Sequence, residues 1–193
     1  MNISVFGASS GRIDPRYFSA AEELGRLIAE QGHCLIFGGG KSGLMGACAY
    51  GAYRAGGDIL GIAPAFFDEP GILMKEECRF LFTDTLAERK SLMLEKADAF
   101  IALPGGIGTF EEFFETLTLK QLGQHSKPIA LLNTLGYFDA FVGVLQSSVE
   151  KGFMSANCLC IFSVCPDGES ALTYVRTAER ITGSIRRLED YTK

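Results

Sequence analysis

The stretch AFIALPGGIGTFEEF, residues 99–113, joins an apolar run to a glycine-rich turn and then to a helical pattern. The run predicts a strand at Ala99–Leu103, and the apolar spacing beyond the turn predicts a helix at Thr109–Leu122. The same succession of strand, small residues and helix recurs along the chain. Such repetition favours a parallel sheet with helices on both faces.

Outward from this stretch, short apolar runs alternate with longer amphipathic patterns. We predict further strands at Ile3–Gly7, Cys34–Phe37, Asp58–Ile62, Arg79–Phe82 and Ile129–Leu132, and a seventh within Leu159–Val164. We predict further helices at Arg16–Gln31, Leu44–Ala55, Leu86–Ala97, Tyr137–Lys151 and Glu169–Ile181. Because no linker or repeat interrupts the 193 residues, we expect a single α/β domain over residues 1–193, built on a doubly wound sheet.

The composition narrows the classes of function. A formal net charge of −5 argues against a nucleic-acid partner, because phosphate backbones need clustered Lys and Arg. Six cysteines without a C-x-x-C pair, and two histidines, argue against a metal site and favour buried thiols in a reducing compartment. No basic leader precedes the apolar Ile3–Phe6, and the longest late uncharged run, residues 152–166, is shorter than a membrane span. We therefore expect a cytoplasmic protein that does not enter a membrane.

Three predicted strands end in small residues, at Gly7–Gly11, Gly38–Gly43 and Pro104–Thr109. Glycine lets backbone N–H groups approach an anion, and the start of the following helix adds unpaired donors and a positive dipole end. One such loop is equally well explained as an ordinary turn, but three at one sheet edge favour a phosphate site. The candidate ligands are Ser10, Gly39, Gly40, Gly105, Gly106, Gly108 and Thr109, and the loop Pro64–Lys75 is expected to flank them.

Two cations occupy the inward stripe of the predicted helix Leu86–Ala97. Helical spacing places Arg89 and Lys90 on the same side as Leu86, Met93, Leu94 and Ala97. Burying an unpaired charge is costly. Either both side chains snorkel or pair with nearby carboxylates, or they point into a cleft toward an anion.

The helix after Pro104 shows the complementary pattern. Its apolar stripe is Phe110, Phe113, Phe114 and Leu117, and the spacing places Glu112 on the opposite side with Leu119. Acids favour the first turn of a helix, which alone accounts for Glu111 and Glu112. It does not account for the apolar Leu119 beside Glu112, whereas an enclosed cleft or a subunit contact does.

Together these segments resemble the Lonely Guy phosphoribohydrolases, a family also described as possible lysine decarboxylases. The resemblance runs from about Ile3 to Phe153, and the motifs occur in the family's order and spacing. The matching segments are Val5–Ser10, Phe37–Gly46, Arg89-Lys90, Pro104–Glu112 and Gln121–Pro128.

The resemblance implies a Rossmann-like domain that forms a homodimer and cleaves the N-glycosidic bond of a nucleoside 5′-monophosphate, without a metal or cofactor. On the matching positions it implies Arg89 and Glu112 as catalytic residues. It implies nucleotide-binding roles for Lys90, Gly106, Gly108, Thr109 and Thr118. This chain has Leu86-Ala87, Lys41 and Leu119 where the family commonly has Met-His, a small residue and Trp, so either AMP or an N6-modified, cytokinin-type AMP remains open as the substrate.

Two other functions fit parts of the pattern. A non-catalytic nucleotide or cofactor carrier needs the glycine loops, but it needs no acid beside the ribose, so Arg89 with Glu112 favours catalysis. A decarboxylase needs pyridoxal phosphate on a lysine and a partner for the pyridine nitrogen, and the sequence shows no such constellation. We therefore predict an N-glycosyl hydrolase that releases the free base and ribose 5-phosphate.

Overall fold

The computed structural model describes residues 1–180, which form one α/β domain. The strands are β1 Asn2–Phe6, β2 Cys34–Phe37, β3 Asp58–Pro64, β4 Arg79–Thr83, β5 Ala99–Ala102, β6 Ile129–Leu132 and β7 Ser163–Cys165. The helices are α1 Pro15–Glu30, α2 Gly43–Arg54, α3 Leu86–Lys96, α4 Ile107–Gln121, α5 Asp139–Glu150 and α6 Gly168–Thr177.

All seven strands lie parallel in one sheet, in the order β4-β3-β2-β1-β5-β6-β7. The chain winds outward from β1 to β4 and then returns to place β5 against the other side of β1. This confirms the doubly wound fold that the strand-helix alternation predicts. The direction of winding reverses between β1 and β5, so a crevice for a ligand is expected beyond their carboxyl ends.

The sheet separates two hydrophobic cores. One face packs against α1, α2 and α6, through buried residues such as Leu24, Leu44 and Leu172. The other face packs against α3, α4 and α5, through residues such as Met93, Phe113 and Leu145. Strands covered on both faces need apolar residues throughout, which explains why their sequences read as continuous hydrophobic runs.

Most predicted elements are shifted by no more than two residues, but the late segments differ more. The seventh strand was predicted too early: it begins at Ser163, because residues 156–160 form a short 3-10 helix started by the Ser155 hydroxyl, which accepts a hydrogen bond from the Asn157 N–H. Helix α6 ends at Thr177, and the predicted end at Ile181 lies outside the described residues. Helix α5 starts after a turn in which Leu135 and Gly136 have φ values of 55° and 71°.

Candidate active site

A cleft lies at the reversal point of the sheet. The loops after β1 and β5 run side by side there, joined by a hydrogen bond of 3.1 Å from the Ala8 N–H to the Pro104 carbonyl. The cleft is open to solvent and has a volume of about 300 Å³. Its walls come from these two loops and from α2, α3 and α4; the lining residues are Gly7, Ala8, Ser9, Met45, Arg89, Gly106, Ile107, Gly108, Thr109 and Glu112.

The two predicted catalytic residues meet in this cleft. Arg89 Nη1 donates to Glu112 Oε1 at 2.6 Å, and the two side chains are only 11% and 10% exposed. Arg89 Nε also donates to the Ile62 carbonyl at the end of β3, at 3.2 Å. Glu112 Oε2 has no hydrogen-bond partner among residues 1–180, which leaves one carboxylate oxygen available to a ligand.

Local capping sets the position of Arg89. The Thr85 hydroxyl accepts a hydrogen bond from the Glu88 N–H at 3.1 Å, and the Glu88 carboxylate accepts one from the Asp84 N–H at 3.0 Å. This capping box fixes the first turn of α3. The next residue, Arg89, then falls on the side of the helix that faces the sheet.

The electrostatics of the pair suit a carboxylate that exchanges protons. Burial raises the pKa of Glu112 above its usual range, and the charge and hydrogen bond of Arg89 oppose that rise. Glu111 raises the pKa of Glu112 further, while Lys90 lowers it. A partly buried carboxylate beside a fixed cation can stabilise a developing positive charge or take a proton from water.

The rotation of α4 differs from the sequence-based prediction. Glu112 lies on the buried side of the helix, with Thr109, Phe113, Thr116, Leu117 and Lys120. The prediction that Glu112 faces away from the core, opposite Phe114, is wrong, since Phe114 is 40% exposed. The helix can turn an acid inward because Arg89 compensates the charge, a long-range partner that apolar spacing does not report. On α3, Leu86 is likewise exposed rather than part of the buried stripe.

The start of α4 offers free backbone donors to the cleft. The N–H groups of Ile107, Gly108 and Thr109 have no hydrogen-bond acceptor within residues 1–180, and the N-cap, Gly106, makes no side-chain cap. Gly106 and Gly108 are exposed, and no atom lies within 4 Å of where either would carry a Cβ. This helix end is therefore open to an anion.

Gly105 holds the same turn together from behind. A Cβ on Gly105 would lie 2.1 Å from the Thr109 hydroxyl oxygen, so only glycine allows this close approach. The Tyr137 hydroxyl, just before α5, donates to the Gly105 carbonyl at 2.5 Å. The turn after β5 is thus supported by α5 as well as by its own helix.

The middle glycine loop, residues 38–43, and the start of α2 make backbone contacts with two other segments. The N–H groups of Leu44 and Met45, at the start of α2, both donate to the Ala8 carbonyl. The predicted ligands Gly39 and Gly40 pair with residues 72–74: the Met74 N–H donates to the Gly39 carbonyl at 2.9 Å, and Gly40 forms an isolated bridge with Leu73. Neither glycine lines the cleft, and the loop Pro64–Lys75 covers this turn instead of bordering the cleft.

The first loop contributes Ser9 rather than the predicted Ser10. Ser9 lines the cleft, whereas the Ser10 hydroxyl oxygen accepts a hydrogen bond from the Arg12 N–H at 3.3 Å. The start of α1 is closed to an anion by Asp14, whose carboxylate accepts from the Arg16 N–H at 2.9 Å. The sequence analysis also missed Met45, which lines the cleft. Only its position in the glycine motif at the start of α2 could have indicated this.

Lys90 and Thr118 lie outside the cleft. The Lys90 ammonium pairs with the carboxylates of Glu111 and, at 2.8 Å, Glu115, and these two acids raise the pKa of Lys90. Thr118 lies on the outer side of α4, in a shallow depression shared with Lys90. Lys90 also borders a small cavity of about 40 Å³ between α3 and α4, which has both apolar and charged side chains in its lining and shares Glu112 with the cleft.

Within residues 1–180, no group of three or more His, Cys, Asp or Glu side chains is arranged to hold a metal ion. No helix there combines the length and hydrophobicity that crossing a membrane requires.

The chain is similar to proteins of one family over most of its length. The family model described as "Possible lysine decarboxylase" matches residues 45–175. A cytokinin riboside 5′-monophosphate phosphoribohydrolase from Rhodococcoides fascians is 38% identical over 178 residues, 91% of this chain and 89% of that protein. An Arabidopsis thaliana protein of the same name is 37% identical over 170 residues, 88% of this chain and 80% of that protein.

Solved structures with this fold include binding and carrier proteins. A molybdenum cofactor binding protein from Rippkaea orientalis matches with a TM-score of 0.69 and 22% identity, over 91% of this chain and 95% of that one. The molybdenum cofactor carrier protein of Chlamydomonas reinhardtii matches with a TM-score of 0.68 and 25% identity, over the same shares of the two chains. At these identities the likeness supports the fold and says little about the reaction.

Proposed function

We infer that this chain, which belongs to the Lonely Guy family of cytokinin riboside 5′-monophosphate phosphoribohydrolases, hydrolyses the N-glycosidic bond of a nucleoside 5′-monophosphate. The products are the free base and ribose 5-phosphate. The relatives at 37–38% identity carry this activity in their names and match most of the chain. The observation that carries the proposal within the molecule is the buried pair of Arg89 and Glu112 beside a helix start with free N–H groups.

We propose that the 5′-phosphate binds at the start of α4. The free N–H groups of Ile107, Gly108 and Thr109 and the positive end of the helix dipole suit a dianion. Ser9, on the neighbouring loop, adds a hydroxyl at the same edge of the cleft. Glu112 lies one turn further along α4, so a nucleotide anchored by its phosphate presents its ribose to this carboxylate.

The reaction then needs one carboxylate and one water molecule. Breaking the bond between C1′ and the base leaves positive charge on the ribose, which a nearby carboxylate stabilises. Glu112 Oε2 faces that charge and accepts a proton from the water that attacks C1′. The same proton then passes to the departing base, so one water is added across the broken bond and Glu112 returns to its carboxylate form. Arg89 holds Oε1 and so fixes the direction of the carboxylate. No metal ion or cofactor is needed for these steps.

We propose a cytoplasmic homodimer as the working form. The outer side of α4 carries exposed Phe114 and Leu122 and half-buried Leu119, an apolar surface of the kind that marks contact sites. A two-fold axis would bring this surface together with its copy. Lys90 and Thr118 lie on the same surface, so a nucleotide-binding role for them depends on the partner.

The rival function is a carrier that binds a nucleotide or a cofactor without cleaving it. The two structural neighbours are named as a molybdenum cofactor binding protein and a molybdenum cofactor carrier protein. A carrier needs the open helix start but gains nothing from a buried acid beside it. The Arg89–Glu112 pair therefore favours hydrolysis.

The test is to incubate the pure protein with AMP, isopentenyl-AMP, GMP and CMP and to detect the released base by chromatography, with and without a chelator. We expect base release from at least one adenine nucleotide, at a rate that the chelator does not change. Tight nucleotide binding without base release would support the carrier. Activity that disappears with the chelator and returns with a divalent ion would contradict the proposed mechanism.

A further inference from the structure

The first residue of the middle glycine loop, Gly38, lies against the Arg89 guanidinium group in the active site. Gly38 follows β2 directly, at the carboxyl edge of the sheet. A Cβ built on Gly38 would lie 2.4 Å from Arg89 Nη2 and 3.4 Å from Arg89 Cζ. Since real Cβ contacts are longer than 3.0 Å, no side chain at position 38 is compatible with this placement of the guanidinium group.

The guanidinium group is held on three sides by three different elements. Nη1 donates to Glu112 on α4, Nε donates to the Ile62 carbonyl on β3, and Nη2 packs against the bare Cα of Gly38. Arg89 is 9% exposed, so most of its surface is in contact with other residues.

We propose that Gly38 is a positioning residue for the hydrolysis. Because Gly38 has no side chain, it leaves the space that the Arg89 guanidinium group must occupy in order to hold Glu112. This inference rests on the proposed function, because it concerns the same reaction. It also gives the middle glycine motif a role that does not involve binding the nucleotide.

The backbone supplies no competing reason for glycine at position 38. Gly39 and Gly43 in the same loop have φ values of +81° and +67°, which disfavour any side chain, but Gly38 is not in the left-handed region. Its remaining close neighbour, Met45 Sδ, would lie 3.4 Å from the Cβ, an ordinary contact. Only the guanidinium group therefore opposes a methyl group at this position.

This arrangement separates folding from catalysis. The atom that a methyl group would displace is the far end of a flexible side chain, so Gly38→Ala should fold with little loss of stability. The cost falls on the geometry of the ion pair. Displacements of about 1 Å in an active site can lower rates by about 10²-fold.

A displaced Arg89 also changes the titration of Glu112. The charged groups that act on Glu112 are Arg89 and Lys90 from α3, which lower its pKa, and Glu111 from α4, which raises it. If Arg89 moves away, the pKa of Glu112 rises further. Because the carboxylate form is the active one, the acid limb of the pH profile of kcat/KM then moves to higher pH.

The first experiment compares Gly38→Ala with the wild type, using AMP. We expect kcat to fall about 100-fold, KM to change much less, and the acid limb to move to higher pH. The matched control is Gly143→Ala on α5, where no atom lies within 4 Å of the added methyl group, and its kinetics should equal those of the wild type. A Gly38→Ala enzyme with kcat within threefold of the wild type and an unmoved acid limb overturns the proposal.

The second experiment adds Gly38→Ala to Arg89→Lys. Lysine has no atom equivalent to Nη2, so the clash between the added methyl group and the side chain at position 89 is removed. The kcat of the double variant should therefore be no lower than that of Arg89→Lys alone. Equal losses in the wild-type and lysine backgrounds would show that the two positions act independently, which contradicts the proposal.

An NMR titration of the Glu112 carboxyl group gives a reading that needs no turnover. We expect the pKa of Glu112 to be higher in Gly38→Ala than in the wild type, and no change in Gly143→Ala. If the wild type releases no base from any nucleotide, the proposed function fails. The titration still decides whether Gly38 sets the position of the Arg89 guanidinium group. If the pKa of Glu112 is the same in Gly38→Ala as in the wild type, Gly38 does not position Arg89, whatever the activity of the variant.

Discussion

Two glycine-rich loops at the same edge of the sheet serve different purposes. Residues 38–43 and 104–109 both follow a buried strand, and both lead into a helix. In the first loop, the donors at the helix start bond to the Ala8 carbonyl, and residues 39–41 pair with residues 72–74. In the second loop, the first three N–H groups of α4 have no acceptor among residues 1–180, and their residues line the same cleft as Arg89 and Glu112. The two loops therefore differ in which backbone groups the protein itself uses, a difference that their glycine content does not report.

The largest expected effect separates the chemistry from the binding at the second loop. Glu112→Gln keeps the size of the side chain but removes the charge that stabilises the ribose cation, so kcat should fall about 10³-fold. AMP should still bind within a few-fold of the wild-type affinity, since the phosphate donors are unchanged. Turnover assays and calorimetric titration measure the two quantities.

The control for this variant is Glu95→Gln, which changes an exposed acid on α3. It should have wild-type turnover. Near wild-type kcat in Glu112→Gln would reduce Glu112 to a structural partner of Arg89.

The second-largest expected effect comes from removing the 5′-phosphate, which tests whether the N–H groups at the start of α4 bind it. Hydrogen bonds to charged groups contribute roughly 1.5–3 kcal/mol each, so losing the 5′-phosphate should lower kcat/KM by at least roughly 100-fold. The comparison of AMP with adenosine, under the same assay, measures this. Equal cleavage of the two would indicate a general nucleosidase and would remove the functional difference between the loops.

A smaller effect is expected from the outer side of α4. Leu119→Lys places a charge on the proposed dimer surface, and we expect the dissociation constant of the dimer to rise at least about tenfold, which is roughly 1.4 kcal/mol. Activity should fall with the dimer, as measured by sedimentation and assay at one protein concentration. Val144→Lys introduces the same charge at an exposed position of α5, and it should change neither the dissociation constant of the dimer nor the activity. A fully active monomer would contradict this assembly.

The smallest effect concerns the support behind the second loop. Tyr137→Phe removes the hydrogen bond to the Gly105 carbonyl, which is worth about 1 kcal/mol. We expect the KM for AMP to rise about fivefold, with little change in kcat, because the turn that holds the phosphate becomes less fixed. An unchanged KM would show that α4 alone holds the turn.

Local patterns in the sequence are enough to predict the strands, the winding of the sheet and the inward position of Arg89 on α3. Long-range contacts determine the rest. Nothing in residues 38–43 reveals that residues 72–74 cover them. The inward rotation of Glu112 depends on Arg89, 23 positions away in sequence. The sequence left open whether Arg89 and Lys90 pair with carboxylates or point into a cleft. Both residues pair with carboxylates, but only the ion pair of Arg89 lies in the cleft.

The most direct test of this account is a crystal structure of Glu112→Gln with bound AMP. The phosphate should lie within hydrogen-bond distance of the N–H groups of Gly108 and Thr109, with the ribose C1′ facing the side chain at position 112. Residues 38–43 should keep their contacts with residues 72–74 and with Ala8. A phosphate bound instead by residues 39–43, or a ribose directed away from position 112, would contradict the central claim.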